Sequence, residues 1–189
     1  MKTDELIRKA KAGCISANEI KFAYDSLVNG TGGDKYTWLL IIGRANATEY
    51  KEIVERYLYC PEDPMMSRLA LQILCQYWVL SSDYIKYLCE FIAGVDWDDE
   101  EDVRIMALSC SGEVFKHSNE PELLKYVYDV FIDPQEDDLC KSSAYESLAI
   151  LYGEDLASLP GPMHFDIEKD VKSEVVDNAK NILEQHHLL

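Results

Sequence analysis

The residues able to do chemistry in this 189-residue chain are six cysteines, four histidines and thirty-five carboxylates. The cysteines are Cys14, Cys60, Cys75, Cys89, Cys110 and Cys140. They contain no Cys-x-x-Cys pair, and most sit inside apolar stretches. A zinc site needs Cys and His clustered at short spacings. His117, His164, His186 and His187 are not placed to complete one. The cysteines therefore read as buried, reduced thiols, with neither a metal nor a cofactor expected. The Gly-rich stretch Gly30-Thr31-Gly32-Gly33-Asp34 lacks the Gly-Lys-Ser/Thr of a phosphate-binding loop and reads as a turn between helices. There is no His-Glu-x-x-His, no Gly-x-Ser-x-Gly, and no nucleophile with an evident histidine partner. Catalysis is thus not expected. What stands out is carboxylate: six acidic residues fall within Asp96–Asp102.

The acid is excessive over the whole chain and concentrated in one part of it. Eighteen basic side chains stand against thirty-five acidic ones, a net charge of −17. Nucleic acids and anionic membranes are recognised by basic faces, so neither is an expected partner. Residues 91–155 alone hold 17 acidic and 4 basic residues. Hydrophobic residues make up 48% of the chain, enough to bury a core rather than form an acidic tail. No apolar run reaches the roughly 18 residues of a membrane span. The first residues, Met1-Lys2-Thr3-Asp4-Glu5, are charged and lack the apolar core of an export signal. The expected compartment is a reducing cytoplasm.

Helices must position these groups. Apolar residues recur at three and four, and no stretch alternates with a period of two for long. The spacing predicts helices over 3–12, 17–29, 34–46, 48–60, 64–79, 82–94, 100–117, 120–132, 137–152 and 167–186, with Ser16, Asp63, Ser81 and Asn119 as N-caps. The helices also repeat as pairs. First helices fall in register at Glu19–Ala23, Tyr50–Val54, Tyr84–Leu88 and Leu123–Val127. Second helices share a central alanine, Ala70, Ala107 and Ala144, spaced by 37 residues. Helix-turn-helix units with this period describe an α-solenoid. Asp102-Val103-Arg104-Ile105-Met106-Ala107-Leu108, followed by Ser109 and Gly112, resembles the second helix of a HEAT repeat. Asp34–Gly43 echoes it with larger residues, and the resemblance extends over about residues 17–153. It implies an all-α fold: a right-handed α-solenoid of about four HEAT-like helix pairs forming a single domain. Residues 1–16 would be the N-terminal cap, 17–153 the pairs, 154–165 a loop and 166–189 the C-terminal capping helix.

In such an array the loops between paired helices share one edge, and the acid collects there. Asp96, Asp98, Asp99, Glu100, Glu101 and Asp102 fill the third loop, and Asp133, Glu136, Asp137 and Asp138 the fourth. One or two acids suffice at a helix N-terminus; more repel one another unless a basic partner relieves them. Trp97, between Asp96 and Asp98, is expected to be at least half exposed and to touch that partner. Second helices line the concave face in HEAT-like arrays. Positions two and six past each alanine then point to solvent: Gln72, Gln76, Ser109, Glu113, Glu146 and Ile150. Tyr24, Tyr77, Trp78, Tyr145 and Tyr152 are further candidate anchors. Size, charge and repeat class resemble the small acidic immunity proteins of bacterial toxin systems, including contact-dependent growth inhibition. That resemblance implies a 1:1 complex with a basic toxin domain, a nuclease and preferentially an RNase, whose active site the acidic surface covers. The alternative is a scaffold or adaptor holding a peptide or helix in the concave groove.

Overall fold

Helices form almost wherever the apolar spacing predicts them. The computed structural model describes residues 3–155, 157, 159–161 and 164–189, and no strand occurs among the described residues. The α-helices are α1 (Thr3–Lys11), α2 (Ala17–Asn29), α3 (Lys35–Arg44), α4 (Lys51–Glu55), α5 (Pro64–Gln72), α6 (Ile85–Ile92), α7 (Asp102–Phe115), α8 (Pro121–Ile132), α9 (Asp138–Tyr152), α10 (Ile167–Asp170) and α11 (Ser173–Gln185). No helix among the described residues is long and apolar enough to cross a membrane. The expected loop 154–165 includes positions 156, 158, 162 and 163, which lie outside the described residues.

Caps explain several of the boundaries. Ser16 opens α2 with a reciprocal pair: its hydroxyl accepts the Glu19 N–H, and the Glu19 carboxylate accepts the Ser16 N–H at 2.8 Å. Lys9 reaches that carboxylate at 2.6 Å. The ammonium first, then the Ser16 backbone and hydroxyl, hold the Glu19 carboxyl at about 2. Asp34 caps α3 by accepting the Thr37 N–H at 2.7 Å. Asp63 occupies the N-cap of α5 without a side-chain bond, and Pro64 at the first helical position removes one N–H that needs a partner. Two expected caps are corrected. Ser81 is buried and opens a short 3₁₀ turn, Ser81–Tyr84, while Asn119 stands one residue before Glu120, the N-cap of α8.

Three predicted helices are shorter or broken. The one expected over 48–60 is a 3₁₀ turn, Thr48–Tyr50, followed by the five residues of α4. Pro61 disfavours a helical Cys60, so the chain leaves the helix before it. The one expected over 64–79 widens after Gln72 into a π turn, Ile73–Tyr77, in which the Trp78 N–H bonds to the Ile73 carbonyl at 2.9 Å. The one expected over 167–186 breaks between α10 and α11. There the Lys172 N–H leaves the helical ladder and donates to the Tyr145 hydroxyl at 2.9 Å.

The chain divides into two compact units, residues 1–80 and 81–189. In the first, α3 is central, burying Trp38, Leu39, Ile41, Ile42 and Gly43 against α1, α2, α5 and the π turn. Gly43 permits the closest approach, since a Cβ there would lie 2.3 Å from Ile73 Cγ1. The Trp78 indole N–H closes the same contact on the Gly43 carbonyl at 3.1 Å. In the second unit α6 packs on α7 and α8, α7 and α8 both pack on α9, and α11 lies against α8 and α9. Helices α7 and α9 meet at a nearly constant sequence offset. Cys140 meets Glu101, the Ser147 hydroxyl donates to the Leu108 carbonyl at 2.6 Å, and Ile150 covers Gly112. Offsets of 38 to 39 residues at successive turns make the two helices parallel. Ala70, Ala107 and Ala144 are all fully buried.

Candidate partner-binding site

The third and fourth acidic loops come together in the second unit, and Arg104 is what joins them. Its Nε donates to the Ile92 carbonyl at 2.9 Å, Nη1 to Glu101 at 2.9 Å, and Nη2 to Glu136 at 2.5 Å. One guanidinium therefore ties the end of α6, the start of α7 and the loop before α9. Its planar fork suits the two-point contact with Glu136. Glu101 adopts φ 57 at the N-cap of α7, a left-handed conformation costing a residue with a Cβ about 1 kcal/mol. Its ion pair with Arg104 and the Cys140 thiol 3.4 Å from its carboxylate hold it there.

Several of the carboxylates expected on the binding edge have work inside the fold. Asp98 is only 7% exposed. One of its oxygens accepts the N–H groups of Val103 and Arg104, each at 3.0 Å, and so caps α7. Asp137 caps α9 through the N–H groups of Leu139 and Cys140 at 2.7 and 3.1 Å. Burial opposes its ionisation, but the Cys140 thiol and the two backbone N–H groups donating to it hold its carboxyl at about 2. Burial, reinforced by Asp137 and Glu101, pushes the Cys140 thiol well above its usual range, so it stays protonated. Glu101, Glu136, Asp137 and Cys140 each place a ligand atom within 4.8 Å of the others. Of the described residues these four are the ones that could hold a metal ion, and Arg104 is already paired with two of them, Glu101 and Glu136.

Other expected residues reach solvent. Asp96, Asp99, Glu100, Asp133 and Asp138 are exposed, and Asp102 is partly so. Trp97 falls short of the half exposure expected of it. It packs edge-on against Phe91, with ring centroids 6.0 Å apart and planes at 81°, because the buried Asp98 cap draws the loop inward. On the second helices Gln72, Gln76, Ser109, Glu113, Glu146 and Ile150 are each partly exposed, as their register predicts. Glu113 pairs with Lys116 at 2.8 Å. Burial alone raises the Glu146 carboxyl, and no ion pair forms at it among the described residues.

The aromatic candidates divide. Trp78 and Tyr145 are core residues, Tyr24 stacks on Tyr50 at 4.5 Å, and the Arg44 guanidinium lies 3.9 Å above the Tyr77 ring. Tyr152 remains 45% exposed. Sequence reasoning passed over the outer face of α8, where Tyr126 and Ile132 are 41% and 49% exposed. Glu122, Tyr126, Asp129 and Asp133, spaced by three and four, were the available signal. The charge is also distributed more sharply than the window 91–155 suggested. Residues 1–80 carry ten acidic and ten basic side chains, residues 81–189 twenty-five and eight. The whole net charge of −17 belongs to the second unit.

No protein-family model matches the chain, and no curated protein and no solved structure matches it significantly.

Proposed function

We propose that the chain is an immunity-type inhibitor that binds a basic toxin domain, an RNase in the favoured case, through the acidic surface of residues 81–189. The charge partition carries this reading: one unit is electrically balanced, and the other holds the entire excess. Asp98 and Asp137 cap helices, and Glu101 and Glu136 share Arg104, so four of the expected binding carboxylates serve the fold. Asp96, Asp99, Glu100, Asp133 and Asp138 stand in solvent, and Glu146 is held partly out of it. Unpaired like charges on one folded unit raise its self-energy, and a basic partner lowers it while being steered in quickly. A nuclease active site is shaped to attract phosphates. A carboxylate surface seated over it would exclude the nucleic acid by charge and by bulk.

The finer fold belongs to the same proposal. Two parallel second helices with buried in-register alanines support a HEAT-like solenoid of about four pairs with capping helices. The reading places the protein in the cytoplasm, where a toxin would act, and needs no catalytic group of its own. The test is inhibition of a basic nuclease toxin domain, sought first in the open reading frame adjacent to this chain's own. Activity should titrate to zero at one equivalent, and the block should weaken as salt is raised. Undiminished cleavage at several equivalents would refute it.

A further inference from the structure

The partner's point of attachment can be narrowed, given the basic-partner reading above. Tyr126 stands on the outer face of α8 between two clefts. One, of about 520 Å³, is bounded by Glu122, Lys125, Asp129 and Leu188. The other, of about 170 Å³, runs toward the acidic loops and is bounded by Asp129, Asp133 and Glu136, with Ile92 and Val130 as apolar wall. Tyr126 and Asp129 border both. Together the clefts present four carboxylates and two cations, Lys125 and Arg104. Those cations are already spent on Asp129 and on Glu101 and Glu136. Asp133 accepts one bond, from the Gln135 N–H at 2.9 Å, and is otherwise open to solvent. Ile132, also on α8, is exposed, and α8 packs against α6, whose Ile92 lines the smaller cleft.

We propose that this face of α6 and α8, rather than the loop edge around Trp97, is where the partner docks. Its occupant is an amphipathic basic helix carrying an arginine next to an aliphatic residue. The smaller cleft has the volume of one side chain. A guanidinium entering it can pair with Asp133 while its flat face lies on the Tyr126 ring, a combination that lysine provides less well. The aliphatic neighbour enters the larger cleft against Leu188 and the other side of Tyr126, taking up about a third of its volume. Tyrosine is enriched at binding hot spots, and here it stands exposed between two clefts whose carboxylates outnumber their cations four to two. The carboxylates on the Trp97 loop lack such an anchor, since Trp97 is turned onto Phe91 and Asp98 is buried.

The probe is a labelled amphipathic helical peptide with arginine and leucine on one face, followed by fluorescence anisotropy against the full chain. Tyr126→Ala and Asp133→Asn should each weaken binding at least about fivefold, the loss expected of a hot-spot residue. Asp99→Asn changes the charge equally on the Trp97 loop and should weaken it less than about twofold. All three sites are solvent-facing, so circular dichroism of each variant should match the parent. Equal losses in Asp133→Asn and Asp99→Asn would reduce the attraction to bulk charge and overturn the assignment. No change in Tyr126→Ala, or no binding of the peptide by the parent, would overturn it too. Each of these results leaves the nuclease-inhibition test to judge the basic-partner reading separately.

Discussion

Replacing Arg104 by methionine isolates the guanidinium, because the aliphatic stem is largely kept. The change removes the ion pairs to Glu101 and Glu136 and the hydrogen bond to the Ile92 carbonyl. The Glu136 side chain is 10% exposed and would be left with no counter-charge, whereas Glu101 at 38% can turn to water. Stripping one partner from a fully buried pair costs about 3–5 kcal/mol, and exposed pairs are worth about 0–1 kcal/mol. With Arg104 itself 17% exposed, the loss should lie nearer the buried limit, at about 2–4 kcal/mol. In a chain of this length that lowers the melting temperature by about 6–12 °C. Urea unfolding followed by circular dichroism measures it. Adding Glu136→Gln to Arg104→Met should recover about 1–2 kcal/mol, because the orphaned charge is gone. A cost below about 1 kcal/mol, or a double variant equal to the sum of the singles, would refute the view that Arg104 rivets the two acidic loops.

Three further outcomes follow from the same physics. Glu146 is desolvated, so its carboxyl titrates above the usual range and its ionised form burdens the native state more than the unfolded one. Glu146→Gln should therefore unfold at higher urea than the parent at pH 7, with the difference shrinking as pH falls through the raised native value and gone below the unfolded-state value of about 4.5; an unchanged midpoint at pH 7 would contradict this. Glu19 behaves oppositely. Its carboxyl is held at about 2 against an ordinary 4.5, so its stabilisation is complete above 4.5 and lost as pH falls toward 2. Glu19→Gln should be less stable than the parent at pH 6 and converge with it near pH 2 in paired urea curves. Gly43→Ala places a Cβ against Ile73, and the forced shift should outweigh the helix-propensity gain, costing about 1–2 kcal/mol in thermal melts.

Local signals made much of the fold legible. α2 spans the residues its periodicity and the Ser16 cap predict, and Ala70, Ala107 and Ala144 lie buried at the interval read from the sequence. What escaped depends on distant partners. Nothing near Lys172 announces that its N–H will leave a helix for the Tyr145 hydroxyl, 27 residues earlier. The π turn after Gln72 accompanies the packing of Ile73 onto Gly43, which periodicity does not encode. The candidate site was legible as composition and only partly as surface. A run of acids from Asp96 to Asp102 looks uniform, but the chain turns Asp98 inward as a cap and leaves Asp99 and Glu100 outside. Arg104 was visible within the repeat motif, whereas its reach to Glu136, 32 residues on, is a property of the packed loops. Trp97 follows Asp98 inward for the same reason.

The central claim is that the uncompensated charge of residues 81–189 grips a basic protein. Calorimetric titration of the chain into a basic nuclease toxin domain, repeated from about 0.05 to about 0.3 M salt, tests it directly, because screening weakens attraction between solvent-exposed charges. The account predicts a 1:1 complex whose Kd rises at least about tenfold across that range. A Kd that stays constant with salt, or the absence of a complex at low salt, would contradict it.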